Sequence, residues 1–255
     1  MSLYRDDGIV LRTQKLGEAD RIVTVLTRRN GRIRAAAKGV RRTKSRFGAR
    51  LEPFSHVDLL LYTGRSLDVI TQAETVRPYG EPLIADYPRY TSGTAMLETA
   101  ERFTPVEKEP VIRQFLLLVG GLRALTEQEH DPRLVLDAYL LRTLAVAGYA
   151  PALDECAICG TPDEAPGGSD PVRVSSSRAF SVAGGGLTCR SCQPPGAATP
   201  SVATIGLMRA LLRGDWASAD ASQPRHQVEA SGLVAAYAQW HLEHSIRSLR
   251  HVEHA

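Results

Sequence analysis

The stretch Arg21-Ile22-Val23-Thr24-Val25-Leu26-Thr27, then Arg28-Arg29-Asn30-Gly31, then Arg32-Ile33-Arg34-Ala35-Ala36-Ala37-Lys38 decides the fold of the N-terminal part. The first run is rich in β-branched residues, which suit a pleated surface. Asn30-Gly31 is a strong hairpin signal, because both central residues of a type I′ turn need positive φ. Alternation along the returning strand places Arg32, Arg34 and Lys38 on one face and Ile33 and Ala35 on the other.

Working outward, Gly8-Ile9-Val10-Leu11-Arg12 is a short apolar run after the turn pair Asp7-Gly8. Downstream, His56–Tyr62 and Leu67–Thr71 read as two more strands around a Thr63-Gly64-Arg65-Ser66 loop. Five short strands predict a small closed barrel. The OB-fold is the common five-stranded barrel that binds nucleic acids, although strand count alone leaves an SH3-like barrel open. Pro78 and Pro82 mark a boundary, after which the pattern turns helical. Val111, Phe115, Leu118, Leu122 and Leu125 follow the spacing of a buried helical stripe. Asp131-Pro132 supplies an N-cap and a proline at the first helical position, Leu134, Ala138, Leu141 and Ala145 continue that helix, and Gly148 can end it. Residues 160–200 read as loop, and two further helices are predicted around Val202–Leu212 and Val228–Leu249. The expected class is α+β: an OB-fold barrel over 1–78, then a helical domain over 79–255 carrying a zinc-binding subdomain at 154–196.

All four cysteines fall as Cys156-x2-Cys159 and Cys189-x2-Cys192, 29 residues apart. Two such pairs supply four thiolates to one tetrahedral Zn²⁺, and four cysteines close its coordination sphere, which predicts one structural ion. An iron–sulfur cluster or a redox dithiol pair is the weaker reading, since nothing nearby suggests electron transfer. Zinc binding of this kind contributes on the order of 10 kcal/mol to local folding. The C-terminal histidines His241, His244, His251 and His254 invite a second metal reading, but helix histidines more often pack or face solvent. Trp216 and Trp240 are expected in the core. Gly184-Gly185-Gly186 is a flexible loop without the strand-and-helix frame of a phosphate loop.

The net charge of +3 hides an asymmetry. Residues 1–50 hold 14 Lys/Arg against 4 Asp/Glu, and the remainder is acidic by 7. Between Arg28 and Arg50 there are ten basic residues and no acidic one. Such an imbalance is costly in self-repulsion without an anionic partner. Arg32, Arg34, Lys38, Arg41, Arg42, Lys44 and Arg46 are therefore the expected nucleic-acid contacts, on a barrel face and a basic loop. Phe47 lies within the cluster, where stacking on a base competes with packing under the loop. The N-terminus has no basic-then-apolar leader, and the longest apolar run, Phe115–Leu122, has eight residues. Both point to a soluble, cytoplasmic protein without a membrane partner. Asp6, Asp7, Asp58 and Asp68 form no compact acidic motif of the kind a two-metal nuclease needs, so an enzyme is not expected. A zinc-ribbon transcription or RNA-binding factor is the alternative.

The residues also carry a resemblance. Gly8-Ile9-Val10-Leu11, Gly17-Glu18-Ala19-Asp20-Arg21-Ile22-Val23, Thr27 through Gly31, Ala37-Lys38-Gly39-Val40-Arg41-Arg42, Ser45-Arg46-Phe47-Gly48, Leu51-Glu52-Pro53-Phe54, Leu67 and Gln72-Ala73-Glu74 resemble the N-terminal signature of the RecO family. The paired cysteines fit the same family, some of whose members lack them. The resemblance spans nearly the whole chain. It implies a recombination mediator in DNA repair that binds single- and double-stranded DNA and anneals complementary strands. It also implies action with RecR to load RecA on DNA coated by single-stranded-DNA-binding protein (SSB). Glu74 to Ala150 shows only the helical pattern, so no partner contact is placed there.

Overall fold

The computed structural model describes residues 2–43, 45, 47–162 and 178–242. Five strands, β1 (Leu3–Leu16), β2 (Asp20–Thr27), β3 (Gly31–Ala37), β4 (Ser55–Tyr62) and β5 (Asp68–Pro78), close a barrel in the order β1-β2-β3-β5-β4. All neighbours are antiparallel except β3 and β5, which meet in parallel through Ala35–Asp68 and Ala36–Val69. This order settles the choice between barrels in favour of the OB-fold. Alternation fills the interior. Val23 and Val25 on β2, Ile33, Ala35 and Ala37 on β3, and Val57, Leu59 and Leu61 on β4 are buried in one cluster. Phe47 and Leu51, from the β3–β4 connection, close it from one side.

The β2–β3 turn differs from the expected type I′. Only Gly31 has positive φ (63°), and Thr27 pairs with Gly31 across the three-residue loop Arg28–Asn30. That is the longer hairpin with its left-handed residue last. Buried Asp6 organises the loop, accepting from the Arg29 and Asn30 amides and from Asn30 Nδ2 at 2.7 Å.

Three helices follow: α1 (Gly80–Ile84), α2 (Tyr87–Phe103) and α3 (Ile112–Glu127). The predicted α3 stripe Phe115, Leu118, Leu122, Leu125 is fully buried. Phe115 meets His56 edge-on with centroids 5.9 Å apart, and the Arg28 guanidinium lies over the same ring. The α2–α3 connector runs along the free edge of β3. Lys108 N donates to Arg32 O at 2.9 Å. A Cβ on Gly31 would lie 1.7 Å from Glu109 O, so glycine is required both by φ and by this approach.

The barrel and first helices, up to Leu136, make one compact unit, and the described residues from Asp137 onward make a second. The division falls within α4 (Pro132–Val146), which begins as expected, with the Asp131 carboxylate accepting from Arg133 N at 2.8 Å. It ends at Gly148 (φ 90°) with Gly148 N bonded to Ala145 O and Tyr149 N to Leu144 O, a Schellman arrangement. The single stripe expected for α4 is too narrow. Residues 134–141 are all buried, as in a helix covered on every side.

In the second unit, residues 160–200 are not only loop. A hairpin of β6 (Ala179–Ser181) and β7 (Gly186–Thr188) lies there, turning through Gly184 and Gly185. Helices α5 (Val202–Arg213), α6 (Trp216–Asp220) and α7 (Pro224–His241) complete the unit. Ser201 caps α5 through Thr204 N, and Gly214 in the left-handed region ends it. Trp216 is half-buried, whereas Trp240 is 61% exposed, contrary to the core position expected for it. His241 stacks on Tyr149 at 4.6 Å and meets Tyr237. His244, His251 and His254 lie outside the described residues. Among the described residues no helix is long and apolar enough to cross a membrane.

Candidate functional site

The basic residues that cluster in sequence separate in space. β3 carries Arg32 near the β2–β3 turn and delivers Lys38 to the opposite end of the barrel, six residues or roughly 20 Å away. At the turn end the positive charge is largely matched within the chain. Arg28 Nε reaches Asp7 Oδ1 at 2.8 Å, and Arg34 Nε reaches Glu107 Oε1 at 2.5 Å. Arg32 donates to the carbonyls of Thr104 and Pro105, both at 2.6 Å, and its side chain is only 12% exposed. Arg32 thus ties the connector to the barrel, with little surface left for a phosphate. Asp7 also accepts from His56 at 2.9 Å. Burial opposes ionisation of Asp7, but the Arg28 and His56 hydrogen bonds prevail and hold its carboxyl below the ordinary value. Asp68, wholly buried, takes Lys108 Nζ at 2.9 Å, Tyr4 and the Gly64 amide, and its carboxyl is likewise lowered against desolvation. These carboxylates, with Asp58 held by Arg5, are spent on ion pairs and turns; they do not converge on a metal site.

At the other end, Lys38, Arg41 and Arg42 are exposed, together with Lys15 near the β1–β2 tip. Among the described residues, neither Lys38 nor Arg42 is paired with an acidic side chain. Arg41 Nη1 donates to Glu18 O at 2.8 Å. Lys44 and Arg46 lie outside the described residues. Phe47 is buried in the barrel cluster and offers no face to a base.

The four cysteines come together in the second unit, each with its Sγ within 4.8 Å of the others. The β6–β7 hairpin carries Cys189 directly after Thr188. Leu187 O accepts from Ala157 N at 2.7 Å, which sets the first pair against the second. Gly186 has no space for a side chain, because a Cβ would meet Ala152 O at 2.3 Å. Gly160 (φ 71°) turns the first pair, its amide bonding to Cys156 O at 2.8 Å. On the other side Arg209 donates to Leu153 O and pairs with Asp154 at 3.0 Å, anchoring the segment to α5.

A tetrahedron of 2.3 Å zinc–sulfur bonds has edges of about 3.8 Å. Cys159 and Cys189 Sγ are 3.8 Å apart, so the cluster has the dimensions of such a site. The amide hydrogen bonds of Cys159 and Cys189 draw the Cys156 thiol down to about 6. Hydrogen bonding to the Cys189 and Cys159 sulfurs pushes the Cys192 thiol up to about 12. A metal cation held among them would let all four ionise together.

Two family models match the chain. Recombination protein O N terminal covers residues 1–79, and Recombination protein O C terminal covers residues 84–250. The chain is also similar to proteins named DNA repair protein RecO. It is 65% identical to that of Thermobifida fusca over 255 residues, covering the whole of both chains. It is 60% identical to that of Streptomyces griseus over 259 residues, covering 99% of this chain and all of the relative. The Frankia casuarinae protein is 56% identical over the full length of both.

Proposed function

The chain belongs to the RecO family of DNA repair proteins, and on that premise we propose that it acts as a non-catalytic recombination mediator. It binds single-stranded DNA, anneals complementary strands, and works with RecR to load RecA on DNA coated by SSB. The observation that carries the binding step is the exposed basic end of the OB barrel, Lys38, Arg41 and Arg42, with Lys15 beside them. Two strands repel each other through their phosphates; a protein that neutralises both lets them meet, and annealing then requires no bond made or broken by the protein. Backbone contacts carry no base information, so binding is expected to be indifferent to sequence. Lys44 and Arg46 belong to the same proposed track. Arg34, paired with Glu107, and Arg32, spent on carbonyls, support the barrel that presents it.

Cys156, Cys159, Cys189 and Cys192 would hold one Zn²⁺, which supplies folding energy to a segment with few apolar residues. With four sulfurs the sphere is closed to substrate.

The test is annealing of complementary strands coated with SSB, comparing the native protein with a Lys38→Ala/Arg42→Ala variant. Rapid annealing by the native protein, slowed in the variant and by salt, supports the reading. Sequence-selective binding without annealing would replace it with a transcription or RNA-binding role.

A further inference from the structure

The basic end of the barrel is built from two segments some twenty residues apart, and a compact set of hydrogen bonds joins them. Asp20, the first residue of β2, accepts from Gly39 N through Oδ1 at 2.7 Å. Arg41 N donates to Ala19 O at 3.0 Å, and Arg41 Nη1 donates to Glu18 O at 2.8 Å and Gly17 O at 3.4 Å. Gly39, at φ 69°, makes the bend that brings its amide to Asp20. The next two turns follow directly, Arg42 N to Gly39 O and Ser45 N to Arg42 O. The path of the basic connection therefore starts from this join.

We infer that Asp20 and Arg41 are positioning residues, a latch between the β1–β2 tip and the basic turn that places Lys15, Lys38 and Arg42 on one anion path. The inference rests on the DNA-binding reading and adds to it which residues touch phosphate and which hold the others in place. Lys15 stands opposite Arg21 in the β1–β2 register and is exposed, as are Lys38 and Arg42. Arg21 is turned to Glu52 at 2.5 Å. The Arg41 guanidinium is committed to carbonyls of the tip. Asp20 is the unexpected member, because a carboxylate beside a phosphate track should weaken binding by its charge alone. The hydrogen bond to Gly39 is the reason for its presence there. When the latch opens, the connection samples other paths and the binding-competent fraction falls, which weakens apparent affinity in proportion.

Two substitutions at Asp20 separate these effects, since both remove the same charge. Asp20→Asn keeps an oxygen for the Gly39 amide, and Asp20→Ala removes it. Affinity for an oligothymidylate is read by fluorescence anisotropy over a range of salt. Asp20→Asn should bind at least as tightly as the native protein. Asp20→Ala should bind about tenfold more weakly, the order expected for loss of a hydrogen bond to a charged group. Its salt slope should be unchanged, whereas Lys15→Ala, Lys38→Ala and Arg42→Ala should each lower the slope by about 0.7. Hydrogen exchange gives a readout independent of DNA: in Asp20→Ala the Gly39 and Arg41 amides lose protection while the β2–β3 ladder keeps it. If Asp20→Ala does not fold, Arg41→Ala carries the test and should lose more affinity than Lys38→Ala for the same loss of charge. Equal affinities for the two Asp20 variants, or for Arg41→Ala and Lys38→Ala, overturn the latch and leave DNA binding standing. A native protein that binds no oligothymidylate overturns the binding reading itself, and the latch then stands or falls on the exchange result.

Discussion

Gly31 and Gly17 provide a controlled comparison of backbone strain with steric exclusion. Their φ angles are nearly the same, 63° and 60°, but their surroundings differ. A Cβ on Gly17 meets nothing within 4 Å, whereas one on Gly31 would sit 1.7 Å from Glu109 O. At either site alanine in the left-handed region costs about 1–2 kcal/mol, offset by about 0.5 kcal/mol from the stiffer unfolded chain. Gly17→Ala should therefore destabilise by about 1 kcal/mol. Gly31→Ala must also push the connector off the edge of β3. The Lys108 N to Arg32 O bond is then lost and the Arg32 contacts with Thr104 and Pro105 are disturbed. At about 1 kcal/mol for the bond lost and about half of that for each of the two disturbed, the added cost is about 2 kcal/mol. Urea unfolding followed by circular dichroism should place the Gly31→Ala midpoint roughly 1 M below that of Gly17→Ala, for an ordinary urea dependence of about 2 kcal/mol per M. Equal midpoints would refute the packing of the connector on β3 as the reason for glycine at 31.

Metal analysis of the purified protein should find one zinc per chain, and Cys192→Ser or a strong chelator should remove it and lower the melting temperature of the second unit; retention of full stability without zinc would remove its structural role. The logarithm of affinity for single-stranded DNA should fall against the logarithm of salt with a slope of about −4 if six phosphates are met, and Arg32→Ala should destabilise the barrel without changing that slope. Asp7 and Asp68 have carboxyls held below the ordinary value in the folded protein, so their stabilisation is complete above the unfolded value of about 4 and is lost as pH falls from there through the lower folded values. Acid unfolding should accordingly become less pH-dependent in Asp7→Asn, as measured by urea midpoints between pH 6 and 3.

What the sequence made legible was local. The β2–β3 hairpin, the Asp131-Pro132 helix start, the α3 stripe and the paired cysteines each depend on residues within a few positions of one another. The β6–β7 hairpin escaped because three-residue strands hold too little alternation to register, and its triple glycine reads as loop. Phe47 lies among arginines in sequence, yet the barrel interior takes it, because an aromatic ring gains more from burial than from a solvated loop. The largest gap concerns charge. Ten basic residues without an acid look like one track, but Asp7 and Glu107 supply counter-charges from elsewhere in the chain to Arg28 and Arg34. Pairing of that kind follows from topology and leaves no trace in the spacing of residues. Exposure then sorts the remaining cations by strand end, which the linear pattern treats as one.

The parallel contact of β3 with β5 has a kinetic consequence. It joins only two residue pairs, against seven between β2 and β3, and it links positions more than thirty residues apart. The β1–β2–β3 meander and the β4–β5 hairpin can each form from neighbouring segments, whereas this seam and the seven-pair β1–β4 seam must both wait for a long loop to close. The last event in folding the barrel is therefore its own closure. Substitutions that weaken only these seams should speed unfolding more than they slow folding.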